Sequence, residues 1–227
     1  MPFSFCCSFT FLYLCDPKFY GETNLNFKMI NMEKVFEKFI LPIESIAHAG
    51  CGFFVDNLFV TAGHVAVNNE LPLTIYFNGK TVKLDKSNLL FARYVDNEPN
   101  PEDNIDVALF KVEGVNSPLK LADYRPKAGE QYVCYSFNDE VFHLNQQGVP
   151  AIFSSYDQIV PVSTPVKVLD KTDGKFFGCE SEKVLQRGNS GSPLIDAEGN
   201  VVGILHGGVP DTNQCVFQYA DMVRKFC

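Results

Sequence analysis

From Ile46 onward, short apolar stretches alternate with polar turns at a spacing that suits strands rather than helices. Residues 52–55 and 57–61 read as a hairpin hinged at Asp56-Asn57. Residues 73–77 and 81–84 flank Asn78-Gly79, a pair that accepts the left-handed backbone of a two-residue hairpin turn. Residues 89–94 and 107–112 continue the series, with a polar, proline-bearing loop over 96–104 between them. Strands resume at 132–137, 141–146, 152–156, 158–162, 175–179, 194–195, 201–205 and 215–219. The stretch 120–129, with Pro126 and Gly129, separates the two strand-rich halves as a linker.

Two stretches carry a helical period instead. Residues 31–40 place Met32, Val35, Phe36, Phe39 and Ile40 on one face, behind Asn31 as N-cap, and Leu41-Pro42 ends the run. Residues 220–226 space Met222, Val223 and Phe226 as a closing helix. The pattern predicts an all-β fold of two packed antiparallel barrels with a short helix at each end. Its parts are an N-terminal extension (1–30), a first barrel with its leading helix (31–122) and a second barrel with the closing helix (123–227). A ligand would lie in the groove between barrels.

Composition adds limits. With 227 residues, 46% of them hydrophobic, the chain can bury a sizeable core, and 21 phenylalanines replace the missing tryptophan in it. The net charge of −8, with no run of Lys or Arg, gives no support for a broad nucleic-acid or anionic-membrane surface. Eight cysteines (6, 7, 15, 51, 134, 179, 215 and 227) form no C-x-x-C pair, so no zinc site or other cofactor is expected. Reduced thiols fit this scatter; disulfides are the alternative. The apolar run 3–15 is too short to span a bilayer. It lacks the basic start and small-residue cleavage site of a signal peptide, so a packed arm is expected and a signal peptide is the alternative.

Three stretches carry candidate chemistry. In Arg187-Gly188-Asn189-Ser190-Gly191-Ser192, a serine sits on a turn between glycines. Such a turn exposes the hydroxyl of Ser190 and aims consecutive backbone N–H groups at one point beside it. In Thr61-Ala62-Gly63-His64, a buried strand runs into a histidine able to exchange a proton with the serine. In Asn104-Ile105-Asp106-Val107, a carboxylate enters an apolar strand, where burial demands a partner; His64 is the candidate. Glu102 and Asp103 sit in the polar loop and read as solvated surface charge. His48 and His143 pair with no spaced ligand and read as structural or surface residues.

These motifs, in the order His, Asp, Ser, resemble the chymotrypsin-like serine endopeptidases over residues 46–227. The resemblance implies His64, Asp106 and Ser190 as the catalytic triad, the N–H groups of Gly188 and Ser190 as the oxyanion hole, and a polypeptide substrate. The stretch from Gly199 to Pro210 is similar to bacterial glutamyl endopeptidases and to main proteases of positive-strand RNA viruses. Asn189 stands where digestive relatives pair an aspartate with a new N-terminus, so that activation switch is not expected. Leu185 and Leu205 replace the threonine and histidine of Gln- or Glu-selective relatives.

The pocket implied by the resemblance comprises Val184, Leu185, Arg187, Leu205, His206 and Gly207, more apolar than in those relatives. A one-residue offset turns His206 away from it, towards Asp106; a bulge brings it back. The setting implied is polyprotein processing in a host cytoplasm. A secreted or cellular trypsin-like protease and a silent peptide-binding pseudoprotease are the alternatives.

Overall fold

The computed structural model describes residues 35–45, 49–68, 71–95, 103–137, 141–144, 150–152 and 159–226. The expected extension 1–30, the first part of the leading helix, most of the loop 96–104, Glu102, His48, the side chain of His143 and most of the expected strand 152–156 lie outside these residues.

The first half contains β1 (Ile40–Ile43), β2 (Gly50–Val55), β3 (Leu58–Thr61), a short helix (Gly63–Val67), β4 (Leu73–Phe77), β5 (Lys80–Leu84), β6 (Leu89–Val95) and β7 (Ile105–Lys111). Five strands form one antiparallel sheet in the order β1-β2-β3-β7-β6. The β4–β5 hairpin turns at Asn78 and Gly79, both at positive φ, as their sequence predicts. Paired hydrogen bonds between Glu44 and Thr74, 2.9 and 2.8 Å, tie this hairpin to the sheet. No ladder joins β5 to β6 among the described residues, so the half is a bent sheet with an attached hairpin rather than a fully laddered cylinder.

Its interior is filled by phenylalanine. Phe53, Phe54, Phe59 and Phe110 are fully buried, and Phe54 meets Phe59 edge-on at 5.0 Å and Phe77 at 4.9 Å. Each such side chain contributes about 1.5–3 kcal/mol on leaving water.

The leading helix is shorter than its period suggests. Residues 35–37 are helical, and an N–H···O bond from Phe39 to Phe36 (2.8 Å) tightens the end into a turn. Ile40 then starts β1, contrary to the expected helix over 31–40. Burial of Phe36, Phe39 and Ile40 in one core outweighs the helical spacing. Pro42 is tolerated because β1 is an edge strand and its missing N–H is not needed for a ladder.

The second half contains β8 (Lys120–Leu121), β9 (Gln131–Ser136), β10 (Phe142–Leu144), β11 (Pro150–Ile152), β12 (Val162–Asp173), β13 (Phe176–Ser181), β14 (Pro193–Ile195), β15 (Asn200–Gly208), β16 (Gln214–Tyr219) and a 3-10 helix (Ala220–Phe226). Six strands close in the order β14-β9-β12-β13-β16-β15 and back to β14. This closed barrel matches the expected all-β class.

β8 adds in parallel to β15, so the expected linker 120–129 begins as part of this sheet. β12 went unread in the sequence because Pro165 interrupts its alternating pattern. Pro165 pairs with Val133 of β9, and its carbonyl accepts the Glu182 N–H at 3.0 Å just past the Val166 end of the β13 ladder, so the missing N–H faces the end of that ladder rather than β9. The closing helix stacks Phe226 on Phe91 of β6 at 3.7 Å, fastening the end of the second half to the first.

Among the described residues, Cys51, Cys134, Cys179 and Cys215 are buried free thiols. Burial pushes the Cys51 and Cys215 thiols up to about 12, which keeps them protonated and unreactive.

Candidate active site

Close packing behind the short helix sets the position of His64. A Cβ on Gly63 would strike the carbonyl oxygen of Arg93 and come within 2.7 Å of the Val107 nitrogen, so only glycine lets the helix sit this tightly on β6 and β7. The backbone N–H of His64 then donates to Asp106 Oδ1 at 2.7 Å, and its Nδ1 lies 2.8 Å from Asp106 Oδ2.

Asp106 is 1% exposed, near the start of β7. Burial alone would push its carboxyl up. Hydrogen bonds from His206 and His64, together with their charge, outweigh that, and the carboxyl sits below its ordinary range. An ionised carboxylate only accepts, so both imidazoles donate from Nδ1. That leaves Nε2 of His64 as a basic nitrogen with no hydrogen-bond partner among the described residues.

The second half supplies two of the groups that hold Asp106. His206 Nδ1 lies 2.6 Å from the same Oδ2, and Gln218 Oε1 accepts the Asp106 backbone N–H at 2.5 Å. Of the two orientations left open for His206, the structure has the one facing Asp106. A register irregularity between Leu205 and Gly207 is also present in the β15–β16 ladder. Sequence reasoning missed Gln218; its signal was a lone polar residue in the apolar strand Val216-Phe217-Gln218-Tyr219.

Asn189 shapes the serine turn. Its Oδ1 accepts the Gln186 N–H at 2.9 Å and its Nδ2 donates to the Phe137 carbonyl at 2.8 Å, so this buried amide is satisfied within the second barrel. Gly188 (φ 92°) and Gly191 (φ 91°) both take the left-handed region. The Ser190 carbonyl accepts the Cys51 N–H of β2 at 2.8 Å, which binds the turn to the first half.

A Cβ on Gly191 would collide with the Cys51 carbonyl oxygen and Thr61 Oγ1, and stand 3.0 Å from the Ala62 nitrogen. Gly191→Ala is therefore expected to cost about 3 kcal/mol or more, from strain plus overpacking. Urea denaturation checks it; an unshifted midpoint would contradict this packing.

The Ser190 hydroxyl is half-buried and donates to the His206 carbonyl at 3.3 Å. It makes no hydrogen bond to His64 in this resting arrangement. The N–H groups of Gly188 and Ser190 donate to no partner among the described residues.

The pocket residues expected from sequence differ in exposure. Leu185 and Leu205 are buried, Val184 and Arg187 are exposed, and His206 and Gly207 are half-buried. The Leu185 carbonyl packs directly on Gly208, where a side chain would clash. A cavity of about 530 Å³ lies beside the site, and His206 is the one member of the set that lines it, with Phe176, Val209, Val216 and Asn104.

His64, Asp106 and His206 also offer three ligand atoms within 4.8 Å of one another. The 2.8 and 2.6 Å spacings to the shared oxygen are hydrogen-bond lengths. Ligands around one tetrahedral ion of zinc size sit roughly 3.3 Å apart. Both imidazole nitrogens aim at the oxygen itself, which leaves no central space for an ion.

The chain is similar to known proteins. The trypsin-like peptidase domain family matches residues 50–204, more than half of the chain. A probable periplasmic serine endoprotease, DegP-like, of Pseudomonas putida (strain GB-1) is 29% identical over 159 residues, covering 68% of this chain. The chain spans 28% of that relative's length. The active form of the Rv3671c protease from M. tuberculosis superposes with a TM-score of 0.56 at 20% identity, covering 98% of this chain and 92% of that one. The serine protease of a human pathogenic astrovirus gives 0.51 at 18% identity, covering 80% and 89%. With the family match over both halves, the chain belongs to the trypsin-like peptidases, as a chymotrypsin-like serine endopeptidase domain.

Proposed function

We propose that the chain hydrolyses peptide bonds through an acyl-enzyme, with Ser190, His64 and Asp106 as its triad. The observation that carries this reading is His64 with its Nδ1 bonded to a buried, ionised Asp106, beside the turn that presents Ser190. Rotation of the Ser190 side chain moves its hydroxyl from the His206 carbonyl towards His64 Nε2. Resting enzymes often leave this bond to form only with substrate.

Nε2 takes the hydroxyl proton as Ser190 Oγ attacks the peptide carbonyl. Asp106 stabilises the imidazolium, and the unpaired N–H groups of Gly188 and Ser190 receive the oxyanion. The imidazolium then protonates the leaving amine. Water, deprotonated by the same nitrogen, releases the acyl group and restores Ser190.

A fluorophosphonate probe tests the reading. It should label the native chain at Ser190 alone, identified by peptide mass. An unlabelled folded chain would favour the pseudoprotease alternative.

The setting follows from less. Relatives and structural neighbours include bacterial and viral proteases, so polyprotein processing and the role of a secreted bacterial protease stand level. The periplasmic designation of the Pseudomonas relative fits the exported alternative better than a cytoplasmic one. No helix among the described residues is long and apolar enough to cross a membrane. The resemblance implies Gln or Glu before the scissile bond; a peptide-library profile showing a large apolar residue there would discard that preference.

A further inference from the structure

One residue outside the triad touches both of its ends. His206 reaches Asp106 through its ring, with Nδ1 2.6 Å from Oδ2, and reaches Ser190 through its carbonyl, which accepts the hydroxyl at 3.3 Å. Its ring lies edge-on to His64, 5.7 Å between centroids, and edge-on to Phe176 at 5.2 Å, so packing on two sides fixes its orientation. His206 sits at the register irregularity between Leu205 and Gly207 in the β15–β16 ladder.

The geometry points to His206 as a positioning residue that holds Asp106 in place for His64 and stores the Ser190 hydroxyl between turnovers. This inference rests on the triad reading above. Oδ1 is already taken by the His64 N–H, and the carboxylate side chain is 0% exposed. Without His206, the only donor to Oδ2 among the described residues would be the imidazole that must change its own charge in each cycle. A carboxylate oxygen accepts two donors without displacing either, so the second imidazole steadies the first rather than competing with it. Burial of Asp106 without that donor would favour its neutral form, which cannot stabilise an imidazolium.

The test compares His206→Ala with His206→Asn, because an asparagine amide nitrogen can stand where Nδ1 stands. His206→Ala is expected to lower kcat and the fluorophosphonate labelling rate by about 10- to 100-fold with little change in KM. His206→Asn should recover most of that loss. Proton NMR on the Ser190→Ala background gives a second reading, with two downfield imidazole N–H signals. Both His206 variants should remove one of them and shift the other in His206→Ala only.

Unchanged labelling and an unshifted His64 signal in a folded His206→Ala would overturn the inference. So would equal losses in both variants, which mark a packing role. If the native chain shows both signals yet never labels, the shared carboxylate stands and the assignment of Ser190 as nucleophile falls.

Discussion

Ser190→Ala is expected to fold as the native chain does and to lose about 10⁶-fold in kcat. The two halves of that expectation have separate grounds. In the resting structure the hydroxyl makes one long bond, to the His206 carbonyl, so its removal forfeits little folding energy. The turn is held by other groups: Asn189 on Gln186 and Phe137, and the Cys51 N–H on the Ser190 carbonyl, all of which an alanine leaves intact. Catalysis has no such redundancy, because the hydroxyl is itself the attacking group. The Cys51 thiol, on the strand bonded to the turn, is kept protonated by burial. Thermal melting and cleavage of a fluorogenic peptide measure the two parts. A variant that melts normally and still cleaves would show the nucleophile to be another residue.

Asp106→Asn should lower kcat by about 10⁴-fold. An amide has one acceptor and one donor end where the carboxylate has two acceptors. Two imidazole N–H groups and one backbone N–H converge on Asp106, so the amide must oppose at least one donor with another. The escape open to His64 is to move its proton to Nε2, which destroys the base.

The same substitution changes acid sensitivity. Because the native carboxyl is held below its ordinary range, its stabilisation is fully present above about pH 3.9, the unfolded value, and is lost as pH falls through the folded value. Asp106→Asn should lack that part of the acid dependence. Undiminished kcat in a folded Asp106→Asn would remove Asp106 from the mechanism.

Much of this was legible because local chemistry and tertiary position agree. Asn78-Gly79 can hardly be other than a hairpin turn, and an aspartate inside Ile105–Phe110 could be buried only against a partner. What escaped notice was set by distant pairing. Pro165 argued locally against a strand, yet β12 runs through it because its neighbours make no claim on the missing N–H. Phe39 and Ile40 continued a helical period, but the core takes them as turn and strand.

Gln218 was invisible as a functional residue because its partner, the Asp106 N–H, belongs to the other half of the chain. Where His206 faces is settled by strand pairing and by its contact with Asp106, which a register count along one strand could frame only as two options.

The hydrogen bond from Cys51 to the Ser190 carbonyl means that the reactive turn, though built by the second barrel, is anchored to the first. The seam between the halves is therefore part of the chemistry. Loosening it anywhere near β2 would silence the molecule while most of its strands were still intact.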